Sequence, residues 1–143
     1  MTISKFNVII VFLFTFVLCC LPAFAFSGYA WEGDGSEHVV YLSDDGHIHE
    51  LWYAGSGWNH VDLTQATGAP AASGSLSGYS WEKDGSEHVV YTGVDKHIHE
   101  LWYAGSGWNH VDLTQATGAP LAYSSPSGYA WESDGSEHVI YSG

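Results

Sequence analysis

From Gly28 onward the chain alternates apolar and polar positions in short runs, each ended by glycine or aspartate. The run GYAWE (28–32) is followed by Gly33-Asp34-Gly35, EHVVYLS (37–43) by Asp44-Asp45-Gly46, and HIHELWYA (47–54) by Gly55-Ser56-Gly57. A fourth run, WNHVDLT (58–64), leads into a longer connection over 65–76. A period of two puts successive side chains on opposite faces of a strand, and β-branched and aromatic residues suit a half-buried pleated surface. Asp-Gly and Gly-x-Gly between such runs are hairpin signals. The pattern predicts four antiparallel strands in a meander. No stretch carries a helical apolar period of useful length, so the expected class is all-β.

The whole pattern recurs. SGYAWE at Ser27, SGYSWE at Ser77 and SGYAWE at Ser127 set a tandem repeat of 50 residues. Units 27–76 and 77–126 differ at ten positions only, those numbered 30, 33, 42, 43, 44, 46, 71, 73, 74 and 76 in the first. The phrase HIHELWYAGSGWNHVDLTQATGAP is identical at 47–70 and 97–120, and the third unit, 127–143, carries only the first third of the pattern. Four short strands per repeat of roughly 40–50 residues predict a β-propeller blade. A solenoid uses shorter repeats, and independent four-stranded domains without disulfides would bury too little surface to be stable. The strands amount to about two and a half blades, an incomplete ring, where propellers close with roughly four to eight. The expectation is a part of a longer propeller; a homo-oligomer completing the ring is the second reading, and it leaves hairpins over.

Residues 1–25 stand apart. Lys5 precedes an apolar run over 7–21, and Ala23-Phe24-Ala25 is a small-x-small cleavage site, which predicts a signal peptide cut after Ala25 and a secreted protein. The apolar run is shorter than the roughly 20 residues of a membrane span, so membrane insertion is not expected. Cys19 and Cys20 follow Leu and Cys rather than a small residue, which argues against a lipoprotein signal. Without the leader the chain has no cysteine, keeps all seven Trp and nine Tyr, and sets sixteen acids against Lys83 and Lys96, with no arginine. Such an acidic surface repels phosphate backbones and anionic headgroups, so nucleic acid is not an expected partner.

Aromatic rings and carboxylates are then the available chemistry. A monosaccharide has apolar C–H faces and a rim of hydroxyls, and its site needs a flat aromatic wall beside a few oriented polar groups. Each unit offers Trp31, Trp52, Trp58, Tyr29, Tyr41 and Tyr53 as wall, and Glu32, Glu50, Asp62, His49, His60 and Asn59 as rim. Alternation puts Glu50 and Trp52 on one face, an acceptor beside a stacking surface. Trp58 follows the Gly55-Ser56-Gly57 turn, near a blade end where clefts open. The candidate carbohydrate-binding residues are Glu50, Trp52, Trp58, Trp81, Glu100, Trp102 and Trp108. Two alternatives stay open: the tryptophans fill the wedges between blades as core, and Glu50 is a hydrogen-bond partner between strands or blades.

His47-x-His49 shares a strand face and could chelate zinc or copper, with His38 or His60 as a third ligand. Hydrogen-bonded structural histidines are the expected role, so neither a metal nor another cofactor is expected. The aspartate-rich turns lack the alternating acids of a calcium loop. Every carboxylate near the aromatic phrases has its copy one repeat later, whereas a glycosidase sets two carboxylates in one cleft, and no Gly-x-Ser-x-Gly elbow occurs. Repeated binding, which gains avidity through effective concentration, is expected instead of catalysis. The alternative of another class is a structural or adhesive repeat whose aromatics serve only packing.

The phrases GYxWExDGSEHVVY and HIHELWYAGSGWNHVDLT with a GAP-containing connector resemble the blade repeat of bacterial seven-bladed β-propeller lectins of the Photorhabdus lectin type. More distantly they are similar to fungal fucose-specific lectins. The resemblance covers 27–143. It implies a secreted, non-enzymatic lectin with sites between neighbouring blades for glycans carrying fucose or related, sometimes O-methylated, monosaccharides. The fungal site uses an arginine beside a glutamate, and this chain has no arginine.

Overall fold

A computed structural model describes residues 25–143. The leader expected over 1–25 therefore lies, except for Ala25, outside the described residues. The first sheet holds β1 (Phe26–Trp31), β2 (Ser36–Leu42), β3 (Ile48–Tyr53) and β4 (Trp58–Asp62) in sequence order. The second holds β5 (Ala72–Trp81), β6 (Ser86–Gly93), β7 (Ile98–Tyr103) and β8 (Trp108–Asp112), again in order. A two-stranded sheet of β9 (Ser127–Trp131) and β10 (Ser136–Ile140) follows. All pairings are antiparallel. The expected blades and meander are present, and the ring is not closed.

Two short helices are not expected from the sequence. α1 (Leu63–Thr67) and α2 (Leu113–Thr117) each follow the last strand of a blade. Asp62 caps α1 by accepting from the Gln65 amide at 2.8 Å, and Gly68 ends it in the left-handed region at φ 67°. One helical turn is too short to leave an apolar period, so the signal lies in the caps alone. The expected connection over 65–76 also loses its end to β5, which begins at Ala72 and shifts register between Ala72 and Leu76.

The core lies between the first two blades. Cross-strand pairs put Val40, Ile48 and Glu50 on one face of blade 1, and Val39, Tyr41, His49 and Leu51 on the other. Val40, Ile48 and Leu63 of blade 1 bury completely against a layer containing Val89, Tyr91 and Leu101, from the opposite face of blade 2. Unlike faces therefore meet. β1 packs beside β5, and β5 beside β9, so the first strands of successive blades line the inside of the arc. Their approach depends on glycine: a Cβ on Gly78 would stand 2.7 Å from the Tyr29 ring and 2.9 Å from Val40. Among the described residues no helix is long and apolar enough to cross a membrane.

Candidate functional site

The face of blade 1 that meets blade 2 carries Tyr29, Trp31, His38, Glu50 and Trp52, an arrangement set by the pairs Tyr29↔His38 and His38↔Trp52. The face of blade 2 turned toward them carries Glu87, Tyr103 and Trp108. Between them opens a cleft of about 260 Å³, with Trp31, Trp52, Tyr103 and Trp108 as walls and His38, Glu50 and Glu87 at its polar end. The first copy of the doubled phrase supplies Trp52 to one wall, beside Trp31 from β1, and the second copy supplies Tyr103 and Trp108 to the other.

The polar end is a connected network. His38 Nδ1 lies 2.7 Å from Glu50 Oε1 and 3.0 Å from Glu87 Oε2, so one ring nitrogen serves a carboxylate of its own blade and one of the next. Tyr29 donates its hydroxyl to Glu87 at 2.9 Å and stacks on His38 with ring centroids 5.0 Å apart. Ser36 Oγ sits 2.6 Å from His38 Nε2 and donates to Asp34. Burial disfavours the imidazolium, but the hydrogen bonds and charges of Glu50 and Glu87 outweigh it and raise His38 to about 9. Burial and the neighbouring Glu87 hold Glu50 above the ordinary carboxylate range, against the pull of His38. Burial and both glutamates push Tyr29 well above 10.0, so it remains a donor.

Cleft 2, of about 360 Å³, repeats the first wall with Trp81, His88, Glu100 and Trp102, and takes Glu137 from β10. Burial and Glu100 raise Glu137 to about 7. The indole Nε1 of Trp81 is buried without a hydrogen-bond partner. Further bonds tie the blades at the β1–β2 turn and its repeat. Glu82 accepts from the amides of Glu32 and Gly33 at 2.8 and 2.9 Å, and Glu132 from those of Glu82 and Lys83 at 2.9 and 3.1 Å.

Of the sequence candidates, Glu50, Trp52 and Trp108 come together in cleft 1, and Trp81, Glu100 and Trp102 in cleft 2. Trp58 joins neither; it is 57% exposed on the face of blade 1 turned away from blade 2. The candidates omit Trp31, His38, Glu87 and Tyr103. Strand alternation and the β2–β3 register bring His38 beside Glu50, whereas Glu87 enters from another blade and has no local signal. Among the described residues, three clusters bring ligand atoms within 4.8 Å of one another, namely His38 with Glu50 and Glu87, His88 with Glu100 and Glu137, and Asp95 with His99 and Asp112.

No protein-family model matches the sequence, and no curated protein matches it. Solved structures do. The fucose lectin of Kordia zhangzhouensis, in complex with methyl-fucoside, superposes with a TM-score of 0.52 at 21% identity over 80% of both chains. The fold is that of a β-propeller. Against the six-bladed lectin of the fungus Aleuria aurantia, described as having a novel fucose recognition mode, the TM-score is 0.51 at 19% identity. The propeller segment covers 76% of this chain but only 36% of that lectin. A mutant of the same lectin in complex with Fucα1-6GlcNAc gives 0.54 at 14% identity, over 83% and 40% of the two chains. The chain thus spans well under half the length of the Aleuria lectin.

Proposed function

We propose that the protein is a secreted, multivalent lectin whose between-blade clefts bind fucose or a related, O-methylated monosaccharide, as in the Photorhabdus type that its repeat resembles. The observation that carries this reading is cleft 1: four aromatic side chains around a charged, hydrogen-bonding end, three of them, Trp52, Tyr103 and Trp108, from the two copies of the repeated phrase. Tryptophan faces suit the C–H faces of a sugar, and carboxylates suit its hydroxyls. The unpartnered Trp81 Nε1 adds a donor suited to a ring or hydroxyl oxygen. The solved neighbours are described as fucose lectins, in line with the same reading.

Catalysis is not part of the proposal. Glu50 and Glu87, the two glutamates of cleft 1, both meet His38, at 2.7 and 3.0 Å. Both are occupied by His38 and Tyr29. The leader at 1–25 exports the chain, and further blades, in copies of the chain or of the repeat, complete the ring; native mass spectrometry reads which.

The test is calorimetric titration with methyl α-L-fucoside and O-methylated monosaccharides, followed by a glycan array. Trp108→Ala is expected to weaken binding at cleft 1 at least tenfold, while Trp58→Ala leaves both clefts unchanged. A folded protein that binds neither fucosylated nor methylated glycans would leave the aromatics as packing only, as in a structural or adhesive repeat.

A further inference from the structure

A second cluster lies outside both clefts, on the opposite face of each blade from Glu50 and Trp52. In blade 2, His99 Nε2 lies 3.1 Å from Asp95 Oδ1, which places the proton on Nε2 and leaves Nδ1 with its lone pair. That Nδ1 lies 3.1 Å from His110 Nε2. Blade 1 repeats the pair, with His60 Nε2 3.1 Å from His49 Nδ1. Its support is built differently. Ser43 Oγ stands 3.1 Å from His49 Nε2 and donates in turn to Asp45.

The difference arises at one position. Residue 93 is glycine where residue 43 is serine, and a Cβ at Gly93 would stand 2.5 Å from Asp95 Oδ1 and 2.7 Å from His99 Nε2. Without the serine the aspartate reaches the ring directly; with it, the hydroxyl relays the same contact. Two local solutions give one outcome, a histidine whose Nε2–H is held by an acid, directly in blade 2 and through the Ser43 hydroxyl in blade 1, and whose Nδ1 faces a second imidazole. A metal-bound histidine is supported in this way, its far N–H fixed by a carboxylate.

The spacing fits. Two imidazole nitrogens bound to one ion at about 2.0–2.1 Å stand about 2.9–3.4 Å apart, for angles from square-planar to tetrahedral. Asp112, near His99, adds negative charge.

We propose that each complete blade binds one zinc or copper(II) ion, through His99 Nδ1 and His110 Nε2 in blade 2 and through His49 Nδ1 and His60 Nε2 in blade 1. A proton shared between the two rings fills the same place, so acid competes with the metal. The site shares no residue with the clefts and stands whether or not they bind sugar.

The experiment is calorimetric titration of the chelator-treated full chain with zinc chloride at neutral pH. Two ions per chain are expected, one after His110→Gln, and none in the tight phase after His60→Gln with His110→Gln. Asp95→Asn is expected to weaken the blade 2 site roughly 10–100-fold with the circular dichroism unchanged. Copper(II) on the unaltered chain should show two coordinated imidazole nitrogens by electron paramagnetic resonance, a readout that needs no variant to fold. Absence of zinc binding, copper without two such nitrogens, or a stoichiometry unchanged in the double variant would overturn the proposal. Methyl-fucoside titration should be the same with and without zinc, which separates this site from the lectin reading.

Discussion

At His38 one imidazole serves two blades, since its Nδ1 meets Glu50 at 2.7 Å and Glu87 at 3.0 Å. The folded protein holds this proton more tightly than the unfolded chain. The stabilisation is therefore complete below pH 6.5 and lost as pH rises through about 9. Glu137, raised to about 7 from 4.5, acts with the same sign over a lower interval, because its protonated form is favoured by folding. The melting temperature is expected to decline from about pH 6.5 to 9, and less so in His38→Gln; differential scanning calorimetry over that interval checks it. A melting temperature that climbs with pH would contradict this account. Alternation made the Glu50 and Trp52 pairing legible, because both sit on one strand. Glu87 was hidden, since its partnership with His38 crosses 49 positions of sequence and exists only once two blades stack. Trp58 and Trp108 show the same limit: one phrase, identical in sequence, stands once open to solvent and once in a cleft.

The elements differ in how openly they were written. Strands were legible because turns punctuate them and alternation fills them, and their observed ends fall within two residues of the expected ones, apart from the start of β5. The helices α1 and α2 were not, since five residues hold no apolar period. Asp112 carries α2: it accepts from the Gln115 amide at 2.8 Å and from His97 Nδ1 at 2.7 Å. Asp112→Ala should cost about 1–2 kcal/mol in urea unfolding, and Asp112→Asn much less, because asparagine caps nearly as well. Equal losses would show that the His97 contact, not the cap, matters. At the inner strands, Gly78→Ala forces a methyl against Tyr29 and Val40 and should cost about 1–3 kcal/mol. Gly74→Ala, where a Cβ meets nothing within 4 Å, is the control and should be close to neutral.

For the whole molecule, the 50-residue period made the propeller legible, because only stacked blades give each meander a partner for its second apolar face. The period did not reveal which faces pair. That follows from the side chains: Val40, Ile48 and Leu63 on one face fit Val89, Tyr91 and Leu101 on the other. Since each joint unites unlike faces, a further copy of residues 77–126 inserted after residue 126 should add one complete cleft and one joint. One additional methyl-fucoside site and a higher melting temperature are expected, read by calorimetry and by thermal unfolding. An insertion that melts lower would mean that the blades do not support one another.

The stacking of unlike faces also bears on inheritance. Cleft 1 draws Trp52 from one unit and Trp108 from the next, so sites and repeats are out of phase, and no single unit encodes a whole site. Because the two copies of 47–70 are letter-identical, unequal recombination between them deletes or adds a whole unit without leaving a mismatched joint. The number of clefts in this protein can then drift by copy number alone, with every new cleft inheriting walls that already fit.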